Sequence, residues 1–209
     1  MAPAFLNHFF YEFVTLFVIL DPVATIPIYL SVTAGLDRRT ALLVAFYALG
    51  VSFLILLFFI VVGQSLLTAL HIPMASFQLA GSIVLLLFGL KMVLGKVTEE
   101  AMSLPHDATP LQRAVFPLAV PGIAGAGAIL TVVLLTDNKV RTLSEQVTTT
   151  AILAACLAIF FVIYATAGAV FRLLGKPGVE IVSRVFGLIL SSIAVTGLIL
   201  AIKLSFGLS

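Results

Sequence analysis

FVTLFVILDPVATIPIYLSVTAG, residues 13–35, is an apolar stretch long enough to cross a lipid bilayer, and near its middle stand Asp21 and Pro22. A carboxylate at the bilayer centre costs at least ~2.5 kcal/mol, so by default it faces a bundle interior or a watery cavity. Pro22 removes a backbone donor, and its ring disfavours helical geometry at Asp21. The dyad therefore marks an expected helix interruption and an expected site at one place.

The rest of the chain is of the same kind. Of 209 residues, 62% are apolar and 10% charged, and the mean hydropathy is +1.26. That is too little polar surface to cover a soluble globule, so an integral membrane protein is expected. MAPAFLNHFFYEF places no Lys or Arg ahead of the apolar run, which argues against a removable signal peptide and makes the start the expected mature N-terminus. Between Arg39 and Lys91 no residue is charged, enough for two spans of ~20 residues, with Leu70-His71-Ile72-Pro73 as the turn. The same reading gives six spans, near 10–34, 41–69, 74–95, 114–136, 147–173 and 181–206. Barrel strands alternate in polarity over ~10 residues, so these continuous runs specify an all-α fold.

Loop charge orients the bundle. Arg38, Arg39, Lys91, Lys96, Arg113, Arg172, Lys176 and Arg184 fall on one side, against Lys139, Arg141 and Lys203 on the other. The rule that positive loops stay inside places the first group in the cytoplasm and both termini in the periplasm. Cys156 excludes an internal disulfide and reads as a small core residue. His8, His71 and His106 are too scattered for a metal centre. No Walker, intramembrane-protease or zinc-hydrolase pattern is present, so neither an enzyme nor direct ATP drive is expected.

The polar segment Lys96 to Arg113 divides the chain into residues 1–95 and 114–209, with three spans each. Because three is odd, two similar halves insert with opposite orientation, the inverted-repeat plan of many transporters. FVILDPVATIPIYL lines up with FPLAVPGIAGAGAIL so that Pro22 meets Pro121, Pro73 meets Pro177, and Phe77 to Gly81 resembles Ser183 to Gly187. Spans 1 and 4 are both expected to be broken.

Asp21 before Pro22 is also an N-cap before the favoured first helical residue, and pure capping is the plain reading. The functional reading has Asp21 offer negative charge to a solute ammonium, a sodium ion or a proton, with Thr25, Tyr29 and Ser31 as further oxygens. At the second break, Pro121 and Gly122 are expected to open a helical segment containing Gly125 and Gly127. Bare N–H groups there suit a carboxylate, and glycine lets a ligand approach; close helix packing by small residues is the plain alternative. An acid at one break and amides at the other fit a zwitterion. Gln64 and Gln78 read as interhelical bonders, Glu180 and Arg184 as a surface pair four apart, and Glu12 as a solvated interfacial carboxylate.

DPVATIPIYL in an apolar first helix, followed after a polar loop by PLAVPGIAGAGAIL, resembles the MarC family of bacterial inner-membrane proteins, and the resemblance covers essentially the whole chain. The family pattern has D-P-x-G-N-x-P in the first helix and P-x-x-A-G-P-G-A in the fourth. The chain keeps Asp21, Pro22, Pro27, Pro121, Ala124, Gly125, Gly127 and Ala128, and departs at Ala24, Thr25 and Ala126. The resemblance implies small-solute transport, with neutral amino acids carried by some relatives. From the reading of the two breaks, Asp21, Pro22, Thr25, Pro27, Pro121, Gly122, Gly125 and Gly127 are the expected substrate-binding residues. An exporter of drugs, sugars or ions, and a nontransporting membrane scaffold, remain as other readings. No cofactor or nucleic acid is expected. Coupling to Na+ or H+ and self-association into a homo-oligomer stay open, and lipid and a small solute are the expected partners.

Overall fold

The computed structural model describes residues 2–94, 108–137 and 141–207, and among them every regular element is helical. Lys139, His106 and most of the polar linker expected at 96–113 lie outside the described residues. Helix α1 (Ala2–Leu20) is followed after Asp21 by α2 (Pro22–Val32), and Phe9–Val32 makes one span of 24 residues. Helices α3 (Arg38–Ala69) and α4 (Met74–Val93) complete the first half.

The second half opens with the short helix α5 (Pro110–Arg113) and an irregular, π-wound segment, Ala114–Ile123. Phe116 and Val120 have extended backbone inside that segment, each before a proline, as proline requires of its predecessor. Helix α6 (Ala126–Leu135) then departs at 59° from the run before it. The last helical run, Leu143–Phe206, is broken at Gly175 (φ 65°), a left-handed backbone that glycine adopts without cost. It divides into α7 (Leu143–Leu173) and α8 (Glu180–Phe206). Among the described residues five helices are long and apolar enough to cross a membrane, six when the bent run Pro110–Leu135 counts as one span.

Two helices start earlier than hydropathy places them, because their first turns are held by polar caps. Asp37 accepts from the N–H groups of Arg39 and Thr40. Thr142 and Glu145 form a reciprocal capping box that starts α7. The core lies where α1, α2, the π-wound segment and α7 meet, with Leu16, Leu20, Leu118, Ile123, Leu153 and Phe160 fully buried. Against it, α4 and α8 approach closely. A Cβ on Gly187 would stand 2.8 Å from the carbonyl oxygen of Gly89, so small residues set this crossing.

Three expectations need correction. Glu12 is not solvated: it is 1% exposed, accepts a hydrogen bond from the Thr149 hydroxyl (2.8 Å) and lies 3.8 Å from the Arg141 guanidinium. Helix α7 packs beside α1, and that sets Thr149 and Arg141 against Glu12. Glu180 and Arg184 make no ion pair among the described residues, since long side chains at an exposed helix end gain little from one. Gln78 does bond between helices, its Nε2 donating to the Gly197 carbonyl (3.4 Å), whereas Gln64 Oε1 has no hydrogen-bond partner among the described residues.

Candidate functional site

Asp21 is the N-cap of α2. Its backbone is left-handed (φ 51°, ψ 74°), a region uncommon outside glycine but open to Asp. The N–H of Asp21 still closes α1 onto the Phe17 carbonyl (3.2 Å), and Ala24 N–H donates to Asp21 Oδ1 (3.0 Å). The carboxylate is 1% exposed, and Oδ2 has no hydrogen-bond partner among the described residues. The cap is therefore real, and it uses only half of the carboxylate.

Thr25, one turn on, is buried as well. Its hydroxyl donates back to the carbonyls of Pro22 (3.0 Å) and Asp21 (3.2 Å), and accepts from the Tyr164 phenol of α7 (2.7 Å). Tyr164 stacks on Tyr29 at 4.7 Å between ring centroids, and Tyr29 donates to the Ala41 carbonyl of α3 (3.2 Å). Pro22 is buried at the first position of α2, and Pro27 lies half-buried inside it. Ser31, also half-buried, accepts at its backbone carbonyl from Ala34. At the far end of α2, Arg113 Nη1 donates to the Val32 carbonyl (2.8 Å), a cation on a helix C-terminus.

The second interruption is built without side chains. Pro121 does not open a helix: it lies within the π-wound segment, is exposed, and follows the extended Val120. The helix opens at Ala126 with Gly125 as N-cap, because two prolines so close together cannot keep the α ladder and the chain regains it only after Ala124. No side chain caps α6. Glycine is required at 125, where a Cβ would stand 2.6 Å from the Pro121 carbonyl oxygen.

The two interruptions are neighbours. A Cβ at Gly122 would lie 3.8 Å from Thr25 Cγ2. Pro121, Gly122, Gly125 and Gly127 line a small cavity of about 160 Å³ together with Ile19, Leu85 and Phe88. Ile19 and Leu85 also line a larger cavity of about 390 Å³ between α1, α4, α6 and α8. Its polar groups are Tyr11, Thr15, Gln78, Ser82, Thr131, Ser192 and Thr196, and among the described residues no charged side chain is on its wall. Asp21 and Thr25 line neither cavity.

Tyr164 and the cavity hydroxyls were not singled out from the sequence. The available signal was a lone phenol in the apolar run of α7, and hydroxyls scattered through α4, α6 and α8. Arg113 counted there only as loop charge. Among the described residues no cluster of three or more metal-ligating side chains occurs.

The geometry defines a polytopic helical membrane protein with a buried acid and a glycine-rich bend at adjoining breaks. A family model described as MarC family integral membrane protein matches residues 6–206, and the chain belongs to that family. It is 32% identical to a UPF0056 membrane protein of Pyrococcus abyssi over 206 residues, 97% of this chain and 98% of the relative. It is 30% identical to the UPF0056 inner membrane protein YhgN of Escherichia coli over 193 residues, 90% and 93% of the two chains. A UPF0056 membrane protein of Aquifex aeolicus is 30% identical over 186 residues, 88% and 86%. No solved structure matches the chain.

Proposed function

We propose that this protein is a secondary transporter of small neutral solutes, with zwitterionic amino acids as the first class to test, working by alternating access between two inverted three-helix halves. The observation that carries the reading is the meeting of the two interruptions beside a polar cavity. In transporters of this plan, broken helices from corresponding positions of two repeats form the binding site.

Local geometry supports the repeat at separations of 103 to 105 positions, against 99 for Pro22 and Pro121. Asp21 and Gly125, 104 apart, are the two N-caps. His71 and Gly175 are both left-handed, φ 55° and 65°, and each stands two residues before a proline, Pro73 and Pro177. Helices α2 and α6 end on Thr33 and Thr136, whose hydroxyls both donate to the carbonyl four residues back at 2.6 Å. Asp37 and Thr142 then cap the next helix in each half.

The solute carboxylate goes to the bare amides at the start of α6, where the helix dipole favours negative charge. The rest of the solute extends past Ile19 and Leu85 toward Ser82 and Thr131. The volume of the larger cavity falls in the ~300–1,000 Å³ range of small-molecule sites. The protein sits in the plasma membrane with Arg38, Arg39 and Arg113 inside and both termini outside.

The test is flux. Purified protein in liposomes, offered a panel of radiolabelled neutral amino acids with and without ion gradients, takes up at least one above protein-free vesicles. Thr131→Val, which removes a hydroxyl from the wall of the larger cavity at nearly constant volume, lowers that uptake while keeping its thermal unfolding profile. Folded protein that moves no member of the panel overturns the amino acid reading.

A further inference from the structure

Building on that transport reading, we propose that Asp21 binds and releases a proton, and that H+ is the ion whose movement drives the solute. The inference begins with what surrounds the carboxylate. Oδ1 accepts from the Ala24 N–H, the Val23 N–H is a second backbone donor to the carboxylate, and Oδ2 has no hydrogen-bond partner of full geometry among the described residues. The group is 1% exposed and makes no ion pair among the described residues.

Among the described residues no cation pairs with it: Arg38 and Arg39 stand in the first turn of α3, and Arg172 lies eight positions beyond Tyr164 on α7, about 12 Å along the axis. The titratable groups that face Asp21 are the phenols of Tyr29 on α2 and Tyr164 on α7, themselves stacked together. The π-wound segment and α6, AVFPLAVPGI and AGAILTVVLL, carry no ionisable side chain. On α3 nothing is charged between Arg39 and the helix end. On α1, Glu12 is nine positions away, about 13 Å along the axis, and faces Arg141. An ionised carboxylate buried without a counter-charge is far costlier than its neutral acid, and in practice such a group takes up a proton.

Sodium fits less well. A hard cation needs several oxygens turned toward it. The Thr25 hydroxyl, one turn on, already donates to the carbonyls of Pro22 and Asp21 and accepts from Tyr164. Those two carbonyls each already accept that hydroxyl, and Oδ2 is the carboxylate oxygen without a hydrogen bond among the described residues, enough for an O–H bond and too few by itself for a metal cage.

The left-handed backbone at Asp21 makes this the place where α1 and α2 can part. When the interruption opens to one side, the O–H bond breaks, the proton passes to water as hydronium, and the carboxylate stays with both electrons, held by Ala24 N–H. Closing requires the proton back. Opening on alternate sides therefore carries H+ across, and solute with it.

The chain has four aspartates, and Asp21 is the one placed inside a span. Wild-type protein isotope-labelled at the aspartate carboxyl carbon, reconstituted in lipid bilayers, is examined by infrared difference spectroscopy as pH is varied. One label-sensitive carboxylic C=O band is expected at neutral pH, vanishing at alkaline pH and missing from Asp21→Asn. No label-sensitive band at neutral pH overturns the proposal, and so does a band that persists unchanged through alkaline pH. Because the wild type alone decides these outcomes, misfolding of the variant does not matter. Flux in liposomes separates this inference from the reading it rests on. The band without any flux sinks transport and leaves the proton site, whereas sodium-driven flux without the band sinks the proton.

Discussion

At Asp21 the chain restarts its helix with a side chain; at Gly125 it restarts with none. The first break is sealed: carboxylate against Ala24 N–H, Thr25 against its own carbonyls, Tyr164 closing the stack. The second is open, with Pro121 exposed, a 59° change of direction and a cavity at the helix start. An acid cap makes a helix end self-sufficient but commits a charge to the interior. A glycine start leaves amides for a ligand and brings no charge. The pairing of one of each sets a buried acid beside an uncapped helix start.

The contrast can be broken most strongly at Asp21. Asp21→Ala removes the cap and puts a β-carbon with no polar compensation in left-handed backbone, a combined loss of about 2–3 kcal/mol. Asp21→Asn keeps both features and stays near wild type. Thermal unfolding in detergent measures the gap, and equal stabilities for the two variants would show that the carboxylate does not hold the break.

Next comes Gly125→Ala, whose new methyl meets the Pro121 carbonyl at 2.6 Å. Overpacking of that kind costs about 1–3 kcal/mol and should straighten or shift the bend. Cysteine accessibility probes placed at Pro121 and Ala126 would register the shift; unchanged labelling would mean that the second break has slack to spare.

Tyr164→Phe is milder. It deletes one buried hydrogen bond at 2.7 Å and keeps the ring stack on Tyr29, so a loss of about 1 kcal/mol is expected. An effect as large as that of Asp21→Ala would make the phenol, not the acid, the keystone of the first break.

The smallest effect separates a buried cap from a wet one. Asp37 caps α3 in solvent, and its hydrogen bonds from the Thr40 hydroxyl and N–H hold its carboxyl below the ordinary value. A lowered folded-state value means that this stabilisation is complete above the ordinary carboxylate range and is lost as pH falls through the folded-state value. Hydrogen exchange in the first turn of α3 should therefore quicken only in acid, and exchange that is independent of pH after correction for intrinsic rates would deny the cap its role.

Much of this architecture was legible from residues 13–35 outward. The apolar runs, the charge-free stretch from Thr40 to Leu90 and the proline turns set the spans, because in hydrocarbon every backbone group must be bonded within its own segment. Asp21 was legible for the same reason, being too costly to sit there idle. The second break was misplaced by several residues, since a proline marks where a helix fails but not where the ladder resumes. Glu12 was misread because its partners, Arg141 and Thr149, lie more than a hundred positions away.

What composition and spacing could establish was therefore local: that the chain spans the membrane in helices, that it falters at Asp21-Pro22 and around Pro121, and that an acid is buried at the first fault. Burial energy and backbone hydrogen bonding act on each segment alone, and they are written in consecutive residues. Which faces meet was left to tertiary packing. Only the folded bundle set Thr25 beside Gly122, laid Tyr164 over the first break, and enclosed a hydroxyl-lined cavity from four helices. Lipid-facing and partner-facing positions are equally apolar in such a chain, so hydrophobicity does not tell them apart and close side-chain fit decides.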